Sequence, residues 1–171
     1  MMNDVVRSFE GEYAFLSNFY PAPIEWQGLL FPTVEHAFQA AKCSDPAEWP
    51  FFTHGVAADI KQHGQTVTLR PDWEEVKQDL MLDLTRRKFE IPALARRLLA
   101  TGTAELIEGN LWGDRYWGVC GGVGRNELGK ILMRVRDEMR RCPPFFKSKG
   151  GLEHRSRRVR AAARPGSLTQ K

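Results

Sequence analysis

Apolar positions recur at helical spacing over most of the chain, with extended or turn-rich stretches between them. Leu128, Ile131, Leu132, Val135 and Met139 predict a last helix from about Asn126 to Arg141. Val76, Leu80 and Leu84 mark the buried stripe of a longer helix, Trp73 to about Phe89, with Asp72 and Glu75 as a carboxylate version of the capping box at its start. Pro92 opens the next helix, in which Leu94, Leu98 and Leu99 face the core, and Gly102 ends it. Thr103 to Ile107 is apolar and short, fit for a strand or an extended link. Asp45 and Pro46 begin a helix that Pro50 limits to a turn or two, and Val56 to His63 forms a short helix closed by Gly64. Ile24 and Trp26 alternate with polar residues and Gln27-Gly28 can turn, so Ile24 to Phe31 reads as a hairpin. Residues 9 to 22 mix aromatics with turn formers and read as extended chain folded against the domain. The sum is a mainly α, multihelical domain with a small N-terminal β-hairpin and extended segments.

One helix start carries an unusual set of polar side chains. In FPTVEHAFQAAK, Phe31 to Lys42, Thr33 can cap a helix of about ten residues. Val34, Ala37, Phe38 and Ala41 share one arc, while Glu35, Gln39 and Lys42 fall within roughly 60° of each other on a second. Glu35 lies in the first turn, where the helix dipole favours its ionised form by about 0.3–1 kcal/mol. A charged stripe of this kind is ordinarily a solvated face. His36, between Phe31 and Phe38, points instead to a stripe walled by aromatics. The hairpin would bring FLSNFYP near Glu35, where Asn18 offers an amide donor and acceptor and Phe19 a flat apolar face; the bland reading is an Asx-turn and a core phenylalanine.

A second chemical region is NLWGDRYWGVCGGVGRN, unusually aromatic for a loop. Trp112 and Trp117 can stack on flat heterocycles, a contact worth about 1–3 kcal/mol per base. Gly121, Gly122 and Gly124 precede the helix that Asn126 can cap, whose N-terminal amides would attract phosphate. The glycines follow no continuous buried strand, which excludes a dinucleotide-binding βαβ unit. Cys120 and His36 lack the context of a nucleophilic pair.

Together FLSNFYP, FPTVEHAFQAAK, RPDWEEVK, LLATGTAELIEGN, DRYWGV and GRNELGKILMRVR resemble the YbiA-like NADAR family, in the family's order from about Phe9 to Arg140. The resemblance implies a YbiA-like helical fold and hydrolysis of N-glycosidic bonds, on ribosylamino pyrimidines of riboflavin biosynthesis or on ADP-ribose attached to guanine. It implies Glu35, Lys42 and Asp114, the acid before YWG, as catalytic residues. Asn18, Phe19, His36, Gln39, Trp73, Trp112, Trp117, Gly122 and Asn126 are the substrate-binding set expected with them. WPFFTHG, Trp49 to Gly55, departs from the longer regular helix usual in the family.

Such chemistry suits these residue types. Breaking an N-ribosyl bond leaves positive charge on the anomeric carbon, which a carboxylate beneath it stabilises, while the base nitrogen must accept a proton. Where the base is joined through an exocyclic amine, the sugar can open to an imine that a lysine amine intercepts. Neither a cofactor nor a metal is expected.

Length and charge complete the picture. With 171 residues and 42% hydrophobic content, the chain suits one globular domain, here 1–142, and a tail, 143–171. Between Pro143 and Lys171 eight basic residues face one acid, so the tail carries +7 of a net +4 and leaves residues 1–142 at −3. That tail, expected to be disordered, has the composition to contact nucleic acid. Three cysteines without CxxC spacing argue against a disulfide framework or zinc knuckle, and no stretch has the length of a signal peptide core or a membrane span, so a cytoplasmic protein without a membrane partner is expected. The leading reading is removal of ADP-ribose from guanine in a nucleotide or DNA. Its alternatives are the riboflavin intermediates, a non-catalytic ADP-ribose binding module, and a nucleic-acid-binding protein led by the tail.

Overall fold

The C-terminal stripe becomes the spine of the core. In the computed structural model, which describes residues 4–141, Leu128, Ile131, Leu132, Val135 and Met139 are all buried. The elements in chain order are β1 (Val5–Val6), β2 (Ile24–Trp26), β3 (Leu29–Phe31), α1 (Val34–Ala40), α2 (Ala57–His63), α3 (Trp73–Lys88), α4 (Pro92–Ala100), β4 (Glu105–Leu106), β5 (Gly109–Asn110), β6 (Val119–Cys120) and α5 (Glu127–Arg141). Three two-stranded pairs hold the extended segments: β1 with β4 in parallel, β2 with β3 antiparallel, and β5 with β6 in parallel. Gln27 and Gly28 both take positive φ, 51° and 76°, the turn that matches strand twist in a two-residue hairpin.

Helix α1 lies at the centre, packed against α2, α3 and the hairpin. Thr33 caps it, its hydroxyl accepting from His36 N–H at 3.3 Å. Every residue of the helix is buried, Glu35 and Gln39 included, which removes the solvated-face reading. It is shorter than expected, and Ala41 and Lys42 follow in a turn because Cys43 bridges to Leu69.

Several local expectations need correction. Gly11–Leu16 is a 3-10 helix rather than extended chain, because Phe15 and Leu16 turn together into the core. Pro46–Thr53 is likewise a 3-10 helix, capped by Asp45 and continuing past Pro50. Gly64 follows α2 with φ −62°, not in the left-handed region; its missing side chain matters because a Cβ there would overlap Gln39 Oε1. The capping box at α3 does not form, since Arg70 takes the Asp72 carboxylate through two hydrogen bonds of 2.6 and 2.9 Å. The buried face of α3 runs through Trp73, Met81, Leu82, Leu84, Thr85 and Lys88, leaving Val76 and Leu80 half-buried. Helix α4 buries Leu94, Ala95 and Leu98, and Gly102 beyond it takes φ 59°. The expectation of a disordered basic tail, 143–171, lies outside the described residues. No described helix is long and apolar enough to cross a membrane.

Candidate active site

The polar stripe of α1 faces a cavity of about 320 Å³ between α1, α2, α3 and the β4–β5 and β5–β6 connections. Asn18, Phe19, Glu35, Gln39, Lys42, Trp73, Asp114 and Trp117 line it, so eight of the expected residues converge there. A wider concavity of about 700 Å³ opens on a neighbouring face of α3, but it contains none of these groups.

Geometry fixes each side chain. The Asn18 carbonyl accepts Glu35 N–H at 3.0 Å, which ties the FLSNFYP loop to the first turn of α1, and Asn18 Nδ2 donates to Met81 Sδ at 3.4 Å. Gln39 Nε2 donates to Glu35 Oε1 at 2.7 Å, while Gln39 Oε1 is buried without a partner among the described residues. Burial dominates at Glu35, which is 5% exposed, and lifts its carboxyl above the usual range against the Gln39 hydrogen bond and the charges of Lys61 and Lys42. The first-turn dipole is thus outweighed. Burial likewise draws Lys42 below the usual lysine range, opposed by Glu35 and assisted by Lys61. Lys42 Nζ stands 5.9 Å from the ring centres of both Phe38 and Trp73. Phe38 packs on Trp73 at 5.0 Å and edge-on to Trp117 at 5.4 Å, giving the cavity one continuous aromatic wall.

Asp114 is held from its own loop. Its Oδ1 accepts the N–H groups of Tyr116 and Trp117 at 3.0 and 2.9 Å, and Asn110 bonds its main chain in both directions, at 3.0 Å to the N–H and 2.7 Å to the carbonyl. That ladder and the β5–β6 pair tie down a stretch expected as a loop.

Four expected residues do not line the cavity. His36 is enclosed, its Nδ1 2.8 Å from the Thr33 hydroxyl and its Nε2 3.2 Å from the Gly55 carbonyl; it fastens the turn before α2 onto α1, and burial lowers its pKa. Trp112 is 62% exposed and approaches the site only through Lys61, whose Nζ stands 5.7 Å from its ring and 5.4 Å from that of Phe19. Gly122 lies with Trp112 along a separate groove. Asn126 takes φ 54° and binds main chain, accepting Glu108 N–H at 3.0 Å and donating to the Leu106 carbonyl at 2.8 Å. The phosphate-binding expectation for the start of α5 is also corrected. The amides of Asn126, Glu127 and Leu128 already donate to the carbonyls of Gly118, Tyr116 and Trp117 at 3.3, 3.2 and 3.0 Å.

Six lining residues were not among the expected set: Phe38, Met81 and Tyr116, and the charged Lys61, Lys77 and Glu108. Lys61 looks like one charge on the outer face of a short helix, and Glu108 like the end of an apolar strand; the acid directly after Glu105-Leu106-Ile107 was the available signal. Among the described residues no group of three or more His, Cys, Asp or Glu is placed to hold a metal ion. The cavity therefore combines three carboxyl groups, Glu35, Glu108 and Asp114, with the amines of Lys42, Lys61 and Lys77 and a wall able to stack on a flat ring.

Known proteins are similar to this chain in sequence and fold. The chain is 37% identical over 147 residues to the N-glycosidase YbiA of Escherichia coli strain K12, a match covering 81% of this chain and 91% of that protein. An N-glycosidase of Nostoc punctiforme is 37% identical over 137 residues, 75% of this chain and 86% of its own. A riboflavin biosynthesis protein of Vibrio vulnificus is 37% identical over 143 residues, which are 78% of this chain but only 37% of that longer protein. The solution structure of E. coli YbiA superposes with a TM-score of 0.73 at 33% identity, covering 90% of this chain and 94% of that one. With the NADAR domain matching residues 6–140, nearly the whole of the described chain, this protein belongs to the NADAR domain family.

Proposed function

We propose that the chain is an N-glycosidase that hydrolyses an N-ribosyl bond, and that its substrate is ADP-ribose carried on guanine. The observation that carries the reading is the buried carboxyl of Glu35, held by Gln39, in a cavity shared with Lys42, Asp114 and the Trp73–Phe38–Trp117 wall. Base and ribose occupy the cavity, with the base against the aromatic wall. Glu35 sits beneath the anomeric carbon, stabilises its positive charge and orients water, and Asp114 positions the sugar hydroxyls. Lys42 serves this chemistry as a cation beside Glu35 or as the amine that intercepts the opened sugar.

A cavity of about 320 Å³ accommodates a base and a ribose, so the diphosphate and adenosine lie outside it. Lys61, flanked by Phe19 and the exposed Trp112, supplies a cation and aromatic faces at that mouth, which supports the ADP-ribose reading. The basic tail, 143–171, adds attraction to the phosphates of DNA beside the 1–142 domain. A ribosylamino pyrimidine of riboflavin biosynthesis is the second reading, favoured by the name of the Vibrio relative.

Incubation with guanine-ADP-ribosylated oligonucleotide and, in parallel, with a ribosylamino pyrimidine tests the choice. Release of ADP-ribose is expected. Truncation after Cys142 should weaken apparent affinity for long modified DNA more than for the modified mononucleotide, with the difference fading as salt rises. Turnover of the pyrimidine alone would favour the second reading.

A further inference from the structure

Three carboxyl groups line the cavity, and two of them are held by donors within the protein. Glu35 receives Gln39 Nε2, and Asp114 receives two main-chain N–H groups. Glu108 differs. Its main chain is clamped on both sides, the N–H donating to Asn126 Oδ1 at 3.0 Å and the carbonyl accepting Val119 N–H at 2.8 Å. The side chain lies beside Gly118, where a Cβ would crowd it, and lines the cavity. Its Oε2 is sealed from solvent and has no hydrogen-bond partner among the described residues.

The ionised form would leave that oxygen charged without water or donor, a costly arrangement, whereas in the protonated form Oε2 is a neutral carbonyl oxygen and the proton rides on Oε1, from which a substrate atom in the cavity can take it. From this geometry, and resting on the N-ribosyl reading above, we infer that Glu108 is the general acid of the site, delivering its proton to the leaving nitrogen of the base. As the C1′–N bond breaks, its electron pair passes to nitrogen, which takes the Glu108 proton. Water adds its oxygen to the sugar cation and gives its proton to Glu35. The products are the free base amine and a sugar hydroxyl, and proton exchange with solvent restores both carboxyl groups.

The charged groups that share the cavity with Glu108 are Glu35 of α1, Lys42 after it, Lys61 of α2, Lys77 of α3 and Asp114 of the β5–β6 connection. Burial, with Asp114 adding, Lys61 opposing and Glu35 adding, lifts the carboxyl to about 7, so a substantial protonated fraction persists at neutral pH.

The test is the pH dependence of kcat/KM between pH 5 and 9 for the wild type, Glu108→Gln, Glu108→Asp and Glu35→Gln on whichever N-ribosyl substrate the wild type turns over. A wild-type decline above neutral pH is expected, with Glu108→Gln at least 100-fold slower and without that decline. Glu108→Asp should recover part of the rate and keep the decline, which covers the case of a glutamine variant that folds poorly. Glu108→Gln within tenfold of wild type, or an alkaline decline unchanged in it, or its loss in Glu108→Asp, would overturn the assignment. An inactive Glu35→Gln beside a near-normal Glu108→Gln overturns this inference alone. Wild-type inactivity on both N-ribosyl substrates, or an active Glu35→Gln, overturns the reading beneath it.

Discussion

At Lys42 two opposing effects meet: burial favours the neutral amine, and Glu35, with the ring faces of Phe38 and Trp73, favours the ammonium. A lysine with lowered proton affinity is available as a nucleophile, so Lys42→Ala should reduce turnover at least 100-fold. Borohydride added during turnover should fix substrate mass on Lys42 if the amine forms an imine. No adduct together with an active Lys42→Arg would leave it a binding residue. Helical period puts Glu35, Gln39 and Lys42 on one arc, but a solvated face has the same pattern, and it was the family resemblance that made this arc a candidate site. Glu108 and Lys61 were not legible in sequence, since their partners come from elements distant in the chain and nothing local distinguishes them from solvated charges. His36 misled for a related reason: its aromatic neighbours indicated enclosure, but only the tertiary fold shows that Thr33 and Gly55 occupy both ring nitrogens.

Helix α1 and the turn after α2 act as one unit through Gln39 and Gly64. A Cβ at position 64 would drive Gln39 away from Glu35, so Gly64→Ala should cost about 1–3 kcal/mol and lower kcat with it. Urea midpoints and steady-state rates check this, and a variant as stable and active as wild type would contradict it. The α5 stripe was read correctly because all five of its apolar residues pack on the core. The face of α3 was misjudged by part of a turn, because Lys88, a residue that polarity assigns to solvent, is buried there. The free amides expected at α5 were absent because the carbonyls of 116–118 fold back onto them. Local patterning cannot show such a long-range use of main chain.

Over the whole molecule, Lys88 makes stability depend on pH. It is 1% exposed, donates to the Ser17 carbonyl at 2.6 Å, and burial draws its pKa down from 10.5 to about 7. Below pH 7 both folded and unfolded chains carry the proton and the folded state bears the full cost of enclosing the ammonium. Between 7 and 10.5 the unfolded chain binds more protons, so this group makes stability rise with pH. Relative to Lys88→Met, the wild type should therefore gain in Tm between pH 6.5 and 9.5; a constant gap would contradict the assignment. The fold places the carboxyl of Glu35 and the amine of Lys42 in one cavity, and the claim that they break an N-ribosyl bond is tested most directly by the product. ADP-ribose released from guanine-modified DNA should be measured for wild type and Glu35→Gln, with Tm confirming that both are folded. The account predicts steady release by the wild type and at least 100-fold slower release by the folded variant. Equal release by the two would contradict it.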